Sequence, residues 1–183
     1  MTIVIIGGVT AVGKTSVARR LSEIYGWDYV EADAFHSAEN IEKMKVGMPL
    51  TDDDRLPWLQ TLHQKLDEYA SRNENCIMTC SALKRVYRNI LFTGSPDNTV
   101  QSQIQASNQN CYFIFLTAPK DLLHQRLIQR QNQHFMNPKL LESQLQISEV
   151  PDSETTDELN TYVINCESLT LDEIVDRIKQ IIQ

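Results

Sequence analysis

Gly8-Val9-Thr10-Ala11-Val12-Gly13-Lys14-Thr15 has the spacing G-x-x-x-x-G-K-[ST]. A loop of this kind turns successive backbone N–H groups toward one point. A helix opening at its end adds the positive pole of its dipole, so the pair makes an anion site suited to a polyphosphate. In that arrangement Lys14 bridges the β- and γ-phosphates of a nucleotide, and the Thr15 hydroxyl is a hard oxygen ligand for Mg²⁺. Ser16, next along the expected helix, is counted with the nucleotide-binding residues. Such a loop is common to GTPase switches, ATPase motors and small-molecule kinases, so other residues must decide among them.

A kinase needs a carboxylate to accept the acceptor hydroxyl's proton and to align its oxygen with the γ-phosphate. Asp33, in Glu31-Ala32-Asp33-Ala34-Phe35-His36, ends the expected second strand, at the ligand-facing edge beside the strand that carries the loop if the sheet is wound as usual, and suits that role. His36 could bind substrate hydroxyls or cap the next helix. Lys84 and Arg88 are four residues apart on one expected helix, as are Arg126 and Arg130 on another, so each pair could face one anion or simply line a solvated face. Arg55 is a candidate carboxylate clamp, because a guanidinium pairs bidentately. In the acidic run Asp52-Asp53-Asp54, helix capping is the simpler reading than metal binding; Asp54 is the expected N-cap, which leaves Pro57 in the tolerated first turn.

These groups need a scaffold. Thr2 to Ile6 is an apolar, β-branched run suited to a strand buried on both faces. A helix follows from Lys14 to Tyr25, with Val17, Ala18, Leu21 and Ile24 at helical spacing and Gly26 placed to end it. Strands are expected over Trp27–Ala32, Cys76–Cys80, Cys111–Thr117 and Tyr162–Asn165. Helices are expected over Ser37–Val46, Arg55–Arg72, Leu83–Phe92, Lys120–Gln131 and Pro138–Ser148. Thr170-x-x-Glu173 is a capping box for a last helix striped by Leu171, Ile174, Val175, Ile178, Ile181 and Ile182. Alternating strands and helices predict a three-layer α/β domain with a mainly parallel sheet, whose ligands bind at the carboxyl ends of the strands. Residues 95–110, crowded with Ser, Asn and Gln, read as a surface insertion.

The chain of 183 residues, 42% hydrophobic, suits a single domain. A net charge of −7 argues against nucleic-acid or anionic-membrane partners, which require a basic face. With no long apolar run and no signal-like start, a soluble cytoplasmic protein is expected. Cys76 and Cys80 would lie about 13 Å apart along a strand, too far for a disulfide. All four cysteines are therefore expected to be reduced.

Asn40-Ile41-Glu42-Lys43-Met44, the stretch from Gly47 to Leu59, Cys80-Ser81-Ala82-Leu83-Lys84-Arg85-Val86-Tyr87-Arg88 and His134-Phe135-Met136 together resemble the gluconokinase family, in order and over nearly the whole chain. The resemblance implies transfer of the ATP γ-phosphoryl group to the 6-hydroxyl of D-gluconate, giving 6-phosphogluconate and ADP. It implies a fold like that of adenylate and shikimate kinases, with five parallel strands, a lid at about 130–140 and commonly a homodimer. Carried onto this chain, it makes Asp33 the base and His36, Arg55, Ser81, Lys84, Arg88 and His134 substrate-side residues, and it sets Arg126 and Arg130 against ATP. Arg126 or Arg130 is expected to neutralise the transferring group, and Arg130 is counted with the catalytic residues. Ala11 stands where the family usually has Gly, Gln133 replaces a Gly before His-Phe, and Thr51 replaces an Asn.

Overall fold

A computed structural model of the chain describes residues 1–96, 110–129, 139–152 and 160–183. The elements are β1 (Ile3–Gly7), α1 (Lys14–Tyr25), β2 (Asp28–Glu31), a 3₁₀ turn (Ala32–Phe35), α2 (Ala38–Lys45), α3 (Asp52–Arg72), β3 (Cys76–Thr79), α4 (Arg85–Thr93), β4 (Cys111–Thr117), α5 (Lys120–Gln129), α6 (Leu140–Ile147), β5 (Thr161–Asn165) and α7 (Leu171–Ile182). The strands form one parallel sheet in the order β2-β3-β1-β4-β5, with Ile3 level with Cys76 on one side and Cys111 on the other. This is the expected five-stranded parallel sheet flanked by helices.

β1 is the central strand, and Ile3, Val4, Ile5 and Ile6 are fully buried, which is why it carries no alternation of polar and apolar residues. The chain leaves β1 toward β2, whereas every later crossover runs the other way. Right-handed crossovers then place α1 on one face and the helices of the later connections on the other. α1 packs across β1, β2 and β3 and against α7, while α3 packs against α4. The reversal falls at the carboxyl end of β1, where the loop containing Lys14 begins.

Two expectations are corrected. β2 does not lie beside β1: β3 separates them, and β2 is an edge strand, so Asp33 approaches the loop across the end of β3. The α3 N-cap is Thr51 and not Asp54. Thr51 Oγ1 accepts the Asp54 N–H (3.1 Å) and Asp54 Oδ2 accepts the Thr51 N–H (2.9 Å), a reciprocal box that starts the helix at Asp52. Pro57 consequently sits inside α3, where it forgoes one backbone hydrogen bond. Thr51 does the work an Asn would do there.

Cys76, Cys80, Cys111 and Cys166 are buried and free. Burial pushes the Cys76 and Cys111 thiols up to about 12, which makes them packing residues. The expected insertion and lid fall largely on residues outside those described.

Candidate active site

The loop between β1 and α1 is fixed by backbone geometry. Gly8 has φ +123°, its N–H donates to Ser81 O (3.1 Å), and a Cβ there would stand 2.4 Å from Leu116 O. Gly13 has φ +114° with open space around it, so the angle alone calls for glycine. Ala11 keeps φ +62°, the left-handed conformation glycine would supply, at a cost of about 1 kcal/mol. Thr10 N–H donates to Gln144 Oε1 (2.7 Å), and Arg126 Nη1 donates to Val12 O (3.0 Å). Arg126, expected against ATP, contacts the backbone of the loop. Val9 and Val12 are buried anchors, and Ser16 is exposed on the first turn of α1.

Lys14 lies folded across this loop, its Nζ donating to Gly8 O and Val9 O, both at 2.9 Å. Burial pushes its pKa below the ordinary lysine value, while the carboxylates of Asp33 and then Glu31 hold it up. That electrostatic contact joins the phosphate loop to the carboxylate expected to be the base, although the two sit on strands that do not touch.

Glu31 escaped the sequence reading. Its carboxylate accepts the Thr15 hydroxyl (Oε2, 3.2 Å) and those of Tyr29 and Thr79. Burial first, and the bond to Glu31 second, push Tyr29 up to about 12, so it remains a donor at physiological pH. The available signal was position: Glu31 ends β2, two residues before Asp33. Thr15 and Glu31 supply hard oxygen donors side by side, a set that suits Mg²⁺.

The acceptor side is built on the 3₁₀ turn, which Trp58 fixes by donating its buried Nε1–H to Ala32 O (2.9 Å). His36 stacks on Trp58, with ring centroids 4.1 Å apart and planes 16° apart. Its Nδ1 is buried with no hydrogen-bond partner among the described residues. Burial, and then the nearby Arg55 charge, lower its pKa to about 4. Arg55 donates to Leu50 O and lies 5.6 Å from the Tyr87 ring centroid. Lys84 Nζ lies 5.5 Å from the same ring and pairs with Asp52 at 2.7 and 2.8 Å, while the Tyr87 hydroxyl also donates to Asp52. Those bonds, Lys84 foremost, hold the Asp52 carboxyl below its usual range. Asp52 and Tyr87 therefore shape the position of Lys84, which sequence spacing did not reveal.

Lys84 and Arg88 do not converge on one anion. Lys84 is the residue that precedes α4, whereas Arg88 is 1% exposed, with Nη1 donating to Ala82 O and Leu83 O (both 3.2 Å). Its guanidinium lies over Phe115 and Phe113 (5.7 and 6.0 Å). Ala82, at φ +37°, turns the chain so that these carbonyls face inward and need a buried donor. Ser81 enters the site through the carbonyl that holds Gly8. Arg130, Gln133 and His134 lie outside the described residues.

The pKa of His36 carries a testable sign. A histidine whose folded pKa is about 4 and whose unfolded value is near 6.5 binds more protons unfolded between those pH values. Its contribution is complete above about pH 6.5 and is lost as pH falls toward 4. His36→Asn should therefore flatten the stability-versus-pH slope in that window. Denaturant melts at pH 4.5 and 7 check this, and an unchanged slope would contradict it.

A phosphate loop on the central strand of a parallel sheet, with its lysine facing a carboxylate across the strand ends, defines a P-loop small-molecule kinase, an ATP-dependent phosphotransferase. Residues 3–151 match the family model described as an AAA domain. The chain is 40% identical to the probable gluconokinase of Dictyostelium discoideum over 183 residues, covering 96% of this chain and 84% of that one. It is 40% identical to the gluconokinase of Gluconobacter oxydans over 147 residues, covering 80% and 75%. The crystal structure of a gluconokinase from Sinorhizobium meliloti superposes with a TM-score of 0.75 at 33% identity, covering 99% and 91%. The chain belongs to the gluconokinase family.

Proposed function

We propose that the protein transfers the γ-phosphoryl group of ATP to the 6-hydroxyl of D-gluconate, giving 6-phosphogluconate and ADP. The observation that carries this reading is the continuity of one set of groups. Lys14 senses Asp33, His36 senses Arg55, and Arg55 and Lys84 share the Tyr87 ring. Phosphate loop, carboxylate, neutral imidazole and cations are thus linked neighbour to neighbour, which supports a polyhydroxy carboxylate as the acceptor.

Asp33 accepts the proton of the 6-hydroxyl as that oxygen bonds to the γ-phosphorus and the bond to the β–γ bridging oxygen breaks. Lys14 leaves the carbonyls of Gly8 and Val9 for the phosphate oxygens and follows the developing charge. Arg55 and Lys84 meet the carboxylate, and the unpartnered Nδ1 of His36 takes a substrate hydroxyl. Arg88, buried behind the Ala82 turn, holds the wall from which Lys84 projects. Thr15, with Glu31 beside it, would hold Mg²⁺, which when bound neutralises phosphate charge. Glu31→Gln is expected to lower turnover by about 10- to 100-fold and to raise the Mg²⁺ concentration at half-maximal rate. A magnesium titration of both proteins checks it, and coincident curves would remove Glu31 from this role.

ADP release with gluconate, shikimate and AMP as separate acceptors tests the substrate assignment. Release that depends on shikimate or AMP, and not on gluconate, would overturn it. The Ala11 substitution does not favour a catalytically silent nucleotide binder, since Ala11 keeps the left-handed angle. We read the chain as a single kinase domain, with Arg130 and His134 in its lid, acting in the cytoplasm as a homodimer. Family resemblance supports the dimer, which light scattering would test. No described helix is long and apolar enough to cross a membrane.

A further inference from the structure

We propose that Gln144 is a positioning residue for the phosphate loop, and that α6 is the strut that holds it there. Val12 anchors the tip of the loop, Thr10-Ala11-Val12, by its buried side chain, but the backbone there is weakly bonded from within: Val12 N–H to Val9 O is 3.5 Å long. Yet Ala11 is kept at φ +62°, which an alanine leaves readily for negative φ when nothing constrains it. The constraint comes from outside the loop. Gln144 Oε1 takes the Thr10 N–H at 2.7 Å from one side, and Arg126 Nη1 takes the Val12 carbonyl at 3.0 Å from the other. The Val9–Thr10 and Val12–Gly13 peptide groups, the next ones out from Ala11 on either side, are thereby fixed. So is the direction of the N–H groups that follow, which the phosphates need.

Gln144 can do this because α6 is anchored at several points. Glu142 pairs with Lys120 (2.8 Å) and His124 (2.9 Å) on α5. Leu140, at the start of α6, packs with Met44 and Leu50, and Leu50 is the residue whose carbonyl holds Arg55. Beyond the helix, Glu149 accepts the Arg85 N–H (2.7 Å) at the start of α4. The helix thus joins Leu50, on the acceptor side, to the donor loop and presents an acceptor oxygen to Thr10. Relaxation of Ala11 would turn the Val12, Gly13 and Lys14 amides away from their common focus. Gln144 makes an alanine tolerable at a position where glycine would otherwise be needed.

The proposal rests on the nucleotide-binding reading of the loop and not on the identity of the acceptor. Its test is the dissociation constant of a non-hydrolysable ATP analogue with Mg²⁺, measured by calorimetry on the full chain. Gln144→Met, close in shape but without an acceptor, should weaken the analogue by about three- to tenfold, the scale of one lost hydrogen bond. Ala11→Gly in the same background should recover part of that loss, because glycine holds the left-handed angle unaided. Should Gln144→Met fail to fold, Gln144→Asn withdraws the oxygen by one methylene and is read in the same way. Unchanged analogue affinity overturns the proposal, as does a double variant whose effect is the sum of the two single ones. A wild-type protein that binds the analogue but does not phosphorylate gluconate would sink the acceptor assignment alone.

Discussion

Asp33→Asn is expected to lower kcat by about 10²- to 10⁴-fold, the range for losing a positioned general base, while changing nucleotide affinity by less than about threefold. The substitution preserves shape and removes the carboxylate proposed both to take the acceptor proton and to align its oxygen. Asp33 sits on a 3₁₀ turn pinned by Trp58, so asparagine should occupy the same place. Its carboxylate is also the foremost charge holding up the Lys14 pKa, ahead of Glu31. Glu31 still supports the Lys14 ammonium, and the loop that binds the triphosphate is untouched. Steady-state kinetics with gluconate, alongside calorimetry with an ATP analogue, separate the two quantities. A kcat within threefold of wild type would take Asp33 out of the base role, and a matching loss of analogue affinity would mark it as a nucleotide residue.

What could be read in the sequence divides by the distance over which each feature is determined. The loop, the glycine stop at Gly26 (φ +66°) and the Thr170–Glu173 capping box are set by neighbours within a few residues, and each stands where the pattern put it. Thr51 and Asp54 compete to begin α3 within a single turn, and the pair that bonds reciprocally wins, an outcome that composition alone does not decide. Strand order is non-local. Nothing in residues 1–35 says that β3 will slide between β1 and β2, so Asp33 was expected one strand closer to the loop. The missed site residues share this property: Glu31 meets Thr79, Asp52 meets Lys84 and Tyr87, and Gln144 meets Thr10, across 32 to 134 positions. Arg88 shows the converse. Helical spacing paired it with Lys84, yet the inward carbonyls of Ala82 and Leu83 draw its guanidinium into the interior.

Lys14→Met should abolish useful turnover, by about 10³-fold or more, since it removes the only described cation that the loop places against the transferring group. The same change should leave the nucleotide-free protein at least as stable at pH 7. The sign follows from linkage. Burial lowers the folded-state pKa of Lys14 below its unfolded value, so between the two the unfolded chain holds more protons, and stability rises with pH through that window. Anywhere below the unfolded value the folded chain carries a penalty for burying the group, and the penalty is full once pH lies below the folded value. Glu31 and Asp33 offset that penalty without cancelling it, because the net shift is downward. Methionine removes the charge and keeps the length, so a cost carried for catalysis disappears with the catalysis. Thermal melts without nucleotide at pH 7 check the expectation. A lower melting temperature would mean that the two Nζ bonds to Gly8 and Val9 outweigh the desolvation they accompany, and that Lys14 secures the empty loop as well as serving the bound one.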